Sequence, residues 1–347
     1  MREIIDEENK GLEPLSGDNL TAREKREKAM EYYLLTAILI DLIIGDPILI
    51  THPVIIIGRL ITLIESGLRK IVRTGRGERL AGVVLVILVV GAVYLTTFYL
   101  IKLAFSVNYY LGIIINLWLL STTIAITGLA RAGMKVYENL SAGDIESARE
   151  SVGEIVGRDT GQMEEGEVVR ATVETIAENT SDGILAPIFF YIIGGTPLAM
   201  AYKAINTLDS MVGHLNKKYK YFGWAAARLD DLANFIPARL TGFGFALAAL
   251  LLGHNAKRSW QVMWRDAGKH PSMNAGFPEA AVAGALGIRL GGLNYYQGRA
   301  EFRNYLGDKE RELIREDIKA VIRMMFWNLG LFVFFFLIVR VIISLVF

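Results

Sequence analysis

The sequence predicts an all-α, polytopic membrane protein with broken or re-entrant helices and helical loops in the cytosol. Apolar residues make up 52% of the 347 positions, and they are concentrated in long blocks between charged segments. Two of these blocks, Leu80–Ile101 and Tyr109–Ala130, each contain 22 residues without a charge. Since a helix rises about 1.5 Å per residue, either block can cross a hydrocarbon layer about 30 Å thick. The alternative is a very apolar buried helix of a soluble protein, which does not require uncharged runs of this length.

Charge balance and cysteine content exclude several classes of function. The 37 Lys and Arg residues nearly balance the 36 Asp and Glu residues, so the net charge is +1 and no strong field favours nucleic acid as a partner. The chain has no cysteine, which excludes disulfides, thiolate metal ligands and thiol nucleophiles. It also lacks the phosphate-binding loop, the nucleophile elbow of serine hydrolases and the HExxH zinc motif.

The N-terminal part of the chain predicts a polar tail followed by two membrane helices. Residues 1–30 are polar, and we expect them to lie outside a single membrane-embedded helical domain formed by residues 31–347. The apolar segment Tyr32–Leu63 is interrupted at Pro47 and Pro53, and proline cannot continue the hydrogen-bond ladder of a helix. We therefore expect two short helices that form a hairpin rather than one straight span.

The charges of the connecting segments predict which of them face the cytosol. Glu65–Arg79 carries five basic and two acidic residues, so the positive-inside rule places it in the cytosol. The segment after the first uncharged block carries only Lys102 and should lie outside the cell. The chain then returns to the cytosol with Arg131–Gly183, which holds twelve acidic and five basic residues.

The C-terminal half alternates between broken apolar segments and amphipathic ones. Ile184–Tyr202 is divided by glycine and by prolines such as Pro197, so we expect a hairpin or re-entrant helix whose flanking acids meet on the cytosolic face. Leu240–Gly253 has only 14 residues, which is short for a span and typical of an embedded or buried helix. Asp308–Met325 has the spacing of an amphipathic helix, and Phe326–Phe347 is a final long apolar run.

Charged side chains recur every four residues in the acidic segment. Arg170, Glu174, Glu178 and Asp182 would share one face of a helix. Three stacked carboxylates repel one another, and a divalent cation such as Mg²⁺ would relieve that repulsion because it prefers carboxylate oxygens. A solvated acidic face with an ordinary Arg170–Glu174 pair explains the same pattern, and the spacing leaves both interpretations open.

A second group of acids and amides follows the broken apolar stretch. Asn206 and Asp209 are three residues apart, and Asp230 lies four residues before Asn234, with Asp231 between them. Paired aspartates with an amide one turn away are a reasonable cradle for Mg²⁺ that carries a phosphate, although any one of them could be a helix cap. Three nearby cations could neutralise phosphate or carboxylate oxygens, namely Lys203, Arg228 and Arg239.

A third segment combines polar residues with many small ones. Asn274 and Glu279 flank Pro278 at an expected helix start, and glycines such as Gly284 and Gly287 follow. Small residues permit close approach of a ligand, but helix packing explains them at least as well. The four histidines are far apart in sequence, and we interpret them as structural.

At these residues the sequence resembles the adenosylcobinamide-phosphate synthase family of cobalamin biosynthesis. The resemblance runs from about residue 35 to about residue 300, with the family's blocks in the same order. The blocks that carry it are Asp41 with Gly45–Pro47 and His52–Val54, Gly157–Thr160, Val173–Gly183, Asn206–Gly213, Phe222–Trp224, Ala227–Asn234 and Asn274–Ala281.

The resemblance implies a ligase that forms a carbon–nitrogen bond. Such an enzyme joins adenosylcobyric acid to aminopropanol or its O-phosphate, with ATP and Mg²⁺, and yields adenosylcobinamide or its phosphate. The resemblance also implies a multi-pass protein of a prokaryotic cell membrane whose active site faces the cytosol. Its expected partners are the corrinoid, the small amino alcohol, membrane lipid and other membrane enzymes of cobalamin assembly.

The residue pattern, together with the resemblance, gives the candidate site residues. The catalytic candidates are Glu174, Glu178, Asp182, Arg228 and Asp230. The substrate-binding candidates are Arg158, Asp159, Asn179, Lys203, Asn206, Asn234, Asn274 and Glu279. The metal-binding candidates are Asp182, Asp209, Asp230 and Asp231, and which acid holds metal and which acts as the base stays open.

Two other classes of function remain as alternatives. A non-catalytic membrane sensor on the same scaffold would not need the full set of acids and amides. An ion-coupled transporter would use broken helices with acids, but it should also show inverted repeats, and the sequence has no visible internal repeat.

Overall fold

The computed structural model describes residues 22–45, 52–72, 75–214 and 216–346. Contacts divide the chain into two compact units, and each is described by itself. Unit 1 consists of Met1–Ala125 and Ala186–Ala233, and unit 2 consists of Ile126–Leu185 and Asn234–Phe347. The expected boundary after residue 30 stays a prediction, since most of the polar tail lies outside the described residues.

Helices dominate the described part of the chain. In chain order they are α1 (Ala22–Ile44), α2 (Pro53–Ile71), α3 (Gly75–Val107), α4 (Tyr109–Ser121), α5 (Ile126–Ser141), α6 (Ile145–Gly153), α7 (Glu165–Asn179), α8 (Ala186–Val212), α9 (Trp224–Ala233), α10 (Phe235–Leu251), α11 (Ala256–Asp266), α12 (Gly276–Leu286) and α13 (Glu316–Val346). A π-helical turn covers Thr180–Leu185, a 3₁₀ turn covers Ala267–Lys269, and two strands are β1 (Leu290–Tyr296) and β2 (Arg299–Leu306).

The helices confirm the polytopic membrane fold. Within the described residues, four helical stretches are long and apolar enough to cross a bilayer, or five if the bent pair α9 and α10 counts as one span. The four are Gly75–Val107, Tyr109–Ser141, Glu165–Val212 and Glu316–Ile343. The two uncharged blocks of the sequence therefore lie in spanning helices, as predicted.

Unit 1 is built around α3, which packs against α2, α4 and α8. The uncharged stretch of α3 is apolar on all sides, so it can face neighbouring helices and lipid at once. Leu85 and Val89 of α3 lie in one buried cluster with Ile61 of α2 and Leu208 of α8. A buried hydrogen bond from Thr196 Oγ1 to Asn116 Oδ1, 2.6 Å long, joins α8 to α4.

The predicted interruptions in the apolar segments are confirmed. α1 ends at Ile44 and α2 begins at Pro53, and the Nδ1 atom of His52 accepts the Val54 N–H at 3.2 Å. Residues 46–51 lie outside the described part, so the hairpin itself stays a prediction. In α8 the backbone leaves the helical region at Gly194 and at Gly195, where φ is 66°. The re-entrant path of this segment likewise stays a prediction.

Unit 2 has α12 at its centre, and every residue of this helix is buried between α10 and α11. Small residues allow this packing. A Cβ at Gly284 would lie 2.7 Å from the carbonyl oxygen of Arg258, so α11 and α12 can approach this closely only at glycine. The Ser259 hydroxyl on α11 donates to the Ala281 carbonyl at 2.7 Å.

The β-hairpin of unit 2 was missed by the all-α prediction. Its strands pair antiparallel, with Tyr296 opposite Arg299 across a two-residue turn. Gln297 and Gly298 have φ of 51° and 75°, which is the geometry of a type I′ turn. The signal was present, because Gln297-Gly298 separates two short runs rich in aromatic residues, but glycines 291 and 292 weaken the strand pattern.

One predicted helix boundary is wrong, and one predicted span is interrupted. The uncharged block from Tyr109 lies in the candidate span Tyr109–Ser141, but its helix breaks after Ser121, where three successive hydroxyls donate to carbonyls of the preceding turn and compete with the helical ladder. The helix expected to start at Asp308 starts at Glu316 instead and continues to Val346. Its start is set by Asp317, whose carboxylate accepts the Ile314 N–H at 2.9 Å.

Candidate active site

A buried carboxylate, Glu174 on α7, collects most of the polar contacts in unit 2. Its Oε2 atom accepts a hydrogen bond from Arg158 at 2.5 Å. Its Oε1 atom accepts the Gly291 N–H at 2.8 Å and lies 3.4 Å from Arg170 Nη1. Both oxygens of Glu174 are therefore engaged by cations and backbone of the protein itself, which compensates the charge of a side chain only 5% exposed.

Asn294 of β1 is a second acceptor for the same two arginines. Its Oδ1 atom lies 2.5 Å from Arg158 Nη1 and 3.1 Å from Arg170 Nη2. Arg170 also donates to the carbonyls of Gly291 at 2.6 Å and Leu293 at 3.0 Å. The result is a rigid junction between α7, β1 and the loop that carries Arg158. Burial lowers the pKa of Arg158, but the charge of Glu174 outweighs it and the pKa is raised.

Asp159 holds the turn of the β-hairpin. Its carboxylate accepts the N–H groups of Gln297 at 3.1 Å and Gly298 at 2.7 Å, and its own N–H donates to the Tyr295 carbonyl at 2.8 Å. Arg158 and Asp159 are thus adjacent residues that both fasten the hairpin. Their expected contact with substrate stays a prediction.

Glu279 and His270 form a buried acid–imidazole pair in unit 2. His270 Nε2 lies 3.6 Å from Glu279 Oε1, and both side chains are less than a tenth exposed. Burial, followed by the negative charges of Glu174 and Glu178, raises the pKa of Glu279 well above its usual value. Burial lowers the pKa of His270.

The local hydrogen bonds of His270 are compatible with both tautomers. Its Nδ1 atom lies 3.0 Å from the Ser272 nitrogen, which can donate to it, and 3.2 Å from the Ser272 carbonyl oxygen, which can accept from it. A neutral imidazole beside a carboxyl group that resists ionisation is a pair able to give or take one proton near neutral pH.

The predicted row of acids on one helix face is interrupted where α7 ends. Arg170 and Glu174 do share a face, but α-helical geometry ends at Asn179 and a π-helical turn follows. Four-residue spacing therefore no longer places Asp182 on the α7 face, because the π turn has a different period. Glu178, Asn179 and Asp182 are half-buried there, and the Asn179 amide donates to the Thr175 carbonyl at 2.9 Å. Single-turn π segments are frequent at functional sites.

Unit 1 brings part of the second predicted group together. Asp209 on α8 lies within electrostatic range of Asp231 on α9 and of His214. Arg228 donates to Asp231 at 3.1 Å, in a pair whose arginine side chain is 60% exposed. The remaining members of this group in unit 1 are half-buried, namely Lys203, Asn206 and Asp230.

Asn234 and Asn274 are buried polar residues of unit 2. Asn234 follows the last residue of α9, so the predicted four-residue helical pairing with Asp230 meets a helix end. Asn274 Oδ1 lies 3.4 Å from Arg239 Nη1. The Arg239 guanidinium lies 3.5 Å from the ring centre of Phe235 and 4.3 Å from that of Phe277, so it is a cation held against aromatic faces.

The donor chemistry fits magnesium bound together with a nucleotide better than a resident metal. Among the residues that the structure describes, no three His, Asp or Glu side chains are arranged to hold a metal ion. Asp209 and Asp231 are two carboxylates within electrostatic range of each other. Mg²⁺ is usually bound by one or two carboxylates and completed by substrate phosphates. The metal-binding role of Asp182, Asp209, Asp230 and Asp231 stays a prediction.

Sequence analysis missed several residues of the buried cluster. His270 had been interpreted as structural, and Asn294 and Arg303 carried no motif. Arg303 donates to the Tyr296 hydroxyl at 2.6 Å, and burial raises the pKa of Tyr296. Asn294 and Arg303 lie on the β-hairpin, so recognising the Gln297-Gly298 turn would have drawn attention to them, whereas His270 follows the 3₁₀ turn Ala267–Lys269.

Long apolar helices together with a buried set of acids and arginines define a membrane protein with an ionisable site inside its helical body. Intramembrane or buried ionisable groups of this kind are usually functional. The chain belongs to the CobD/CbiB family, since the family model described as CobD/Cbib protein matches residues 34–325. This is the adenosylcobinamide-phosphate synthase family that the sequence resembles, and the predicted family is therefore confirmed.

Curated relatives agree over most of the chain. A protein of Geobacter metallireducens named cobalamin biosynthesis protein CobD is 46% identical over 293 residues, which cover 84% of this chain and 91% of the relative. A protein of the same name from Klebsiella pneumoniae is 45% identical and covers 83% of this chain and 90% of its own length. A protein of the same name from Listeria monocytogenes is 41% identical, and the match covers 84% of this chain and 92% of the relative. No solved structure matches the chain.

Proposed function

We propose that this protein acts in cobalamin biosynthesis by ATP-dependent formation of an amide bond. Adenosylcobyric acid would be joined to aminopropanol or its O-phosphate, to give adenosylcobinamide or its phosphate. The observation that carries the proposal is the family membership, together with relatives named as cobalamin biosynthesis proteins. The described side chains support the chemistry as follows.

Amide formation needs a group that accepts a proton from the attacking amine. An amine is protonated at neutral pH and becomes a nucleophile only after losing that proton. Glu279 is suited to this role, because burial and the negative charges of Glu174 and Glu178 raise its pKa and so make its ionised form a stronger proton acceptor. His270, 3.6 Å away, can pass the proton on. We assign Glu279 as the candidate base and His270 as its partner.

Glu174 supports the proposal in a different way from the one its spacing suggested. Its two oxygens are occupied by Arg158, Arg170 and the Gly291 N–H, so it is poorly placed to be a metal ligand. Its negative charge contributes to raising the pKa of Glu279. Glu174 therefore fits a positioning residue that fixes the arginines and tunes the neighbouring acid.

Binding of magnesium and nucleotide would use the acids of unit 1. Asp209 and Asp231, which lie within electrostatic range of each other, would hold Mg²⁺ with the nucleotide, and Lys203 and Arg228 would offset phosphate charge. When bound, ATP with Mg²⁺ would supply the phosphoryl group that makes the corrinoid carboxylate a competent acyl donor. One carboxylate oxygen would then leave with phosphate as the amine nitrogen forms its bond to carbon.

A turnover assay on the purified protein in lipid nanodiscs tests the function. Adenosylcobyric acid, ATP and Mg²⁺ are supplied with aminopropanol or with its O-phosphate, and the products are identified by mass. We expect an amide product with one amine strongly preferred, and loss of that product when nucleotide is omitted. Absence of an amide with either amine would overturn the proposal and favour the sensor interpretation.

A further inference from the structure

Unit 2 carries an exposed aromatic surface that no part of the proposed reaction uses. Trp260 and Trp264 lie one turn apart on α11 and are 43% and 53% exposed. Both rings contact Phe243 of α10, whose ring centre lies 4.8 Å from that of Trp260 and 6.0 Å from that of Trp264. Isolated exposed apolar residues are ordinary, but two neighbouring tryptophans packed on a third ring are not.

The outer face of α10 extends this surface. Exposed apolar residues recur with helical spacing along one side of α10, namely Ile236, Leu240, Leu247 and Leu250. Phe243 lies on the same side. The α11 helix has Lys257 and Arg265 exposed beside its tryptophans. A helix with basic residues next to tryptophan on its exposed side has the composition of an interfacial membrane helix.

The depth of this surface follows from α13, a candidate membrane span. Between Arg323 and Arg340 this helix has 16 residues without a charge, and Trp327 lies near their beginning, 48% exposed. The next residue, Asn328, donates from Nδ2 to the carbonyl of Thr241 on α10 at 2.9 Å. Thr241 is two residues from Phe243, so α10 contacts α13 near the start of its apolar run.

The packing of α11 on α10 argues against α10 as a full span. Because Phe243 contacts both tryptophans, α11 lies alongside α10, and it carries Lys257 and Arg265 with it. If α10 crossed the centre of the bilayer, Lys257 and the ion pairs of Arg265 with Asp266 and Asp308 would enter the hydrocarbon, where charged groups are costly. At the level of Trp327 the same charges reach the headgroups without that cost.

We propose that α10 and α11 form a monotopic hairpin that seats unit 2 at the headgroup–acyl boundary of the bilayer, with Trp260 and Trp264 at the depth of Trp327. Tryptophan favours this boundary because its ring is apolar and its N–H can remain hydrated. The hairpin would enter the lipid by about 5–10 Å. This inference concerns where the protein meets lipid and holds whichever reaction it catalyses.

The surface also lies next to the buried cluster. Trp264 contacts Phe277 of α12, with ring centres 5.7 Å apart, and Glu279 follows two residues later.

Depth-dependent fluorescence quenching tests the proposal. Single-tryptophan versions of the full chain retain Trp260, Trp264 or Trp327 and have phenylalanine at the other four positions. Each is placed in bilayers of phosphatidylcholine brominated either near the glycerol end or near the methyl end of the acyl chain. We expect the shallow bromines to quench all three roughly twofold more than the deep ones. Stronger quenching of Trp260 and Trp264 by deep bromines, or none by either, would overturn the proposal.

A second measurement keeps the test valid if a single-tryptophan variant does not fold. The chain has no cysteine, so Gln261→Cys places one nitroxide label on the exposed side of α11, between the two tryptophans. Its matched control is Glu312→Cys, at an exposed position before α13. We expect oxygen to relax the first label more than a water-soluble nickel complex does, and the reverse for the second. Equal, water-like accessibility at both positions would contradict the hairpin. Exclusion of both reagents from the label at position 261 would also contradict it, because a second copy of the chain would then cover this surface.

Discussion

Arg158 and Glu174 form an ion pair 2.5 Å long although both side chains are almost fully buried, with 6% and 5% exposed. The pair joins the loop before α7 to α7 itself, and it shares Asn294 of the β-hairpin through Arg158. Buried charges of this kind persist only where each finds its partner, so the pair fixes the loop and the hairpin relative to α7.

Removing the negative charge of this pair should destabilise unit 2. Glu174→Gln leaves Arg158 and Arg170 buried with no carboxylate, and breaking one side of a buried ion pair costs about 3–5 kcal/mol. We expect a clear fall in the thermal midpoint of the protein in nanodiscs, followed by intrinsic fluorescence. Glu150→Gln, an exposed carboxylate on α6, is the matched control and should change little. Equal midpoints for both variants would show that the ion pair contributes nothing to stability.

Glu279 should make the folded protein less stable as pH rises. Its pKa is raised in the folded chain, so below its ordinary pKa near 4 the carboxyl is protonated in both states and its contribution is fully present. As pH climbs toward the raised pKa, only the unfolded chain ionises freely, and stability is lost. Thermal midpoints between about pH 5 and pH 8 should therefore fall more for the native protein than for Glu279→Gln. The exposed Glu301→Gln should keep the native slope, and an unchanged slope in Glu279→Gln would refute the assignment.

Glu279→Gln also distinguishes a catalytic role of this residue as a base from a purely structural role. Glu279→Gln should lower turnover by roughly 10²–10⁴-fold, the usual contribution of a general base. Its pH–rate profile should also lose the limb that belongs to the base, which a structural role would not remove. His270→Gln should produce a smaller loss, because its role is to relay the proton.

The carboxylates of unit 1 should set the magnesium requirement. Asp231→Asn or Asp209→Asn should raise the Mg²⁺ concentration for half-maximal turnover by roughly tenfold or more, since even outer partners of a metal contribute that much. Asp182→Asn and Asp230→Asn test the other two metal candidates in the same way. Titration of activity with Mg²⁺ measures the effect, and Glu150→Gln again provides an exposed control. If all four variants respond to Mg²⁺ as the native protein does, these acids are only surface charge.

Cysteine labelling tests the expected path of the α8 segment. Ser181 is buried in the π turn, so exposed residues on either side are better reporters, and Gln162→Cys with Lys217→Cys suits the purpose. The re-entrant model predicts that a membrane-impermeant thiol reagent labels both from the cytosolic side. Labels on opposite faces would mean that the segment crosses the membrane once.

The membrane fold could be predicted because the bilayer imposes a simple requirement. A run such as Leu80–Ile101 has few alternatives to a spanning helix, and proline at position 53 and glycine at 194 and 195 mark real breaks. The β-hairpin was missed because its signal is a two-residue turn with positive φ, which periodicity does not reveal. The π turn left no recognisable pattern at all.

Some contacts around Glu174 follow from helical spacing, whereas the roles of the candidate site residues stay predictions. The Arg170–Glu174 pair follows from helical spacing, and it is present in the structure. The partner that matters more, Arg158, is 16 residues from Glu174, and no local rule brings them together. His270 and Glu279 are nine residues apart across a turn, so their contact depends on how α12 packs.

The central claim is that the protein makes an amide by activating a corrinoid carboxylate with ATP. The most direct test supplies adenosylcobyric acid with ¹⁸O in its free carboxylate, together with ATP, Mg²⁺ and the preferred amine, and analyses product and phosphate by mass. Amide product together with ¹⁸O in the released phosphate is the predicted result. Amide formed without nucleotide consumption, or no amide at all, would contradict the account.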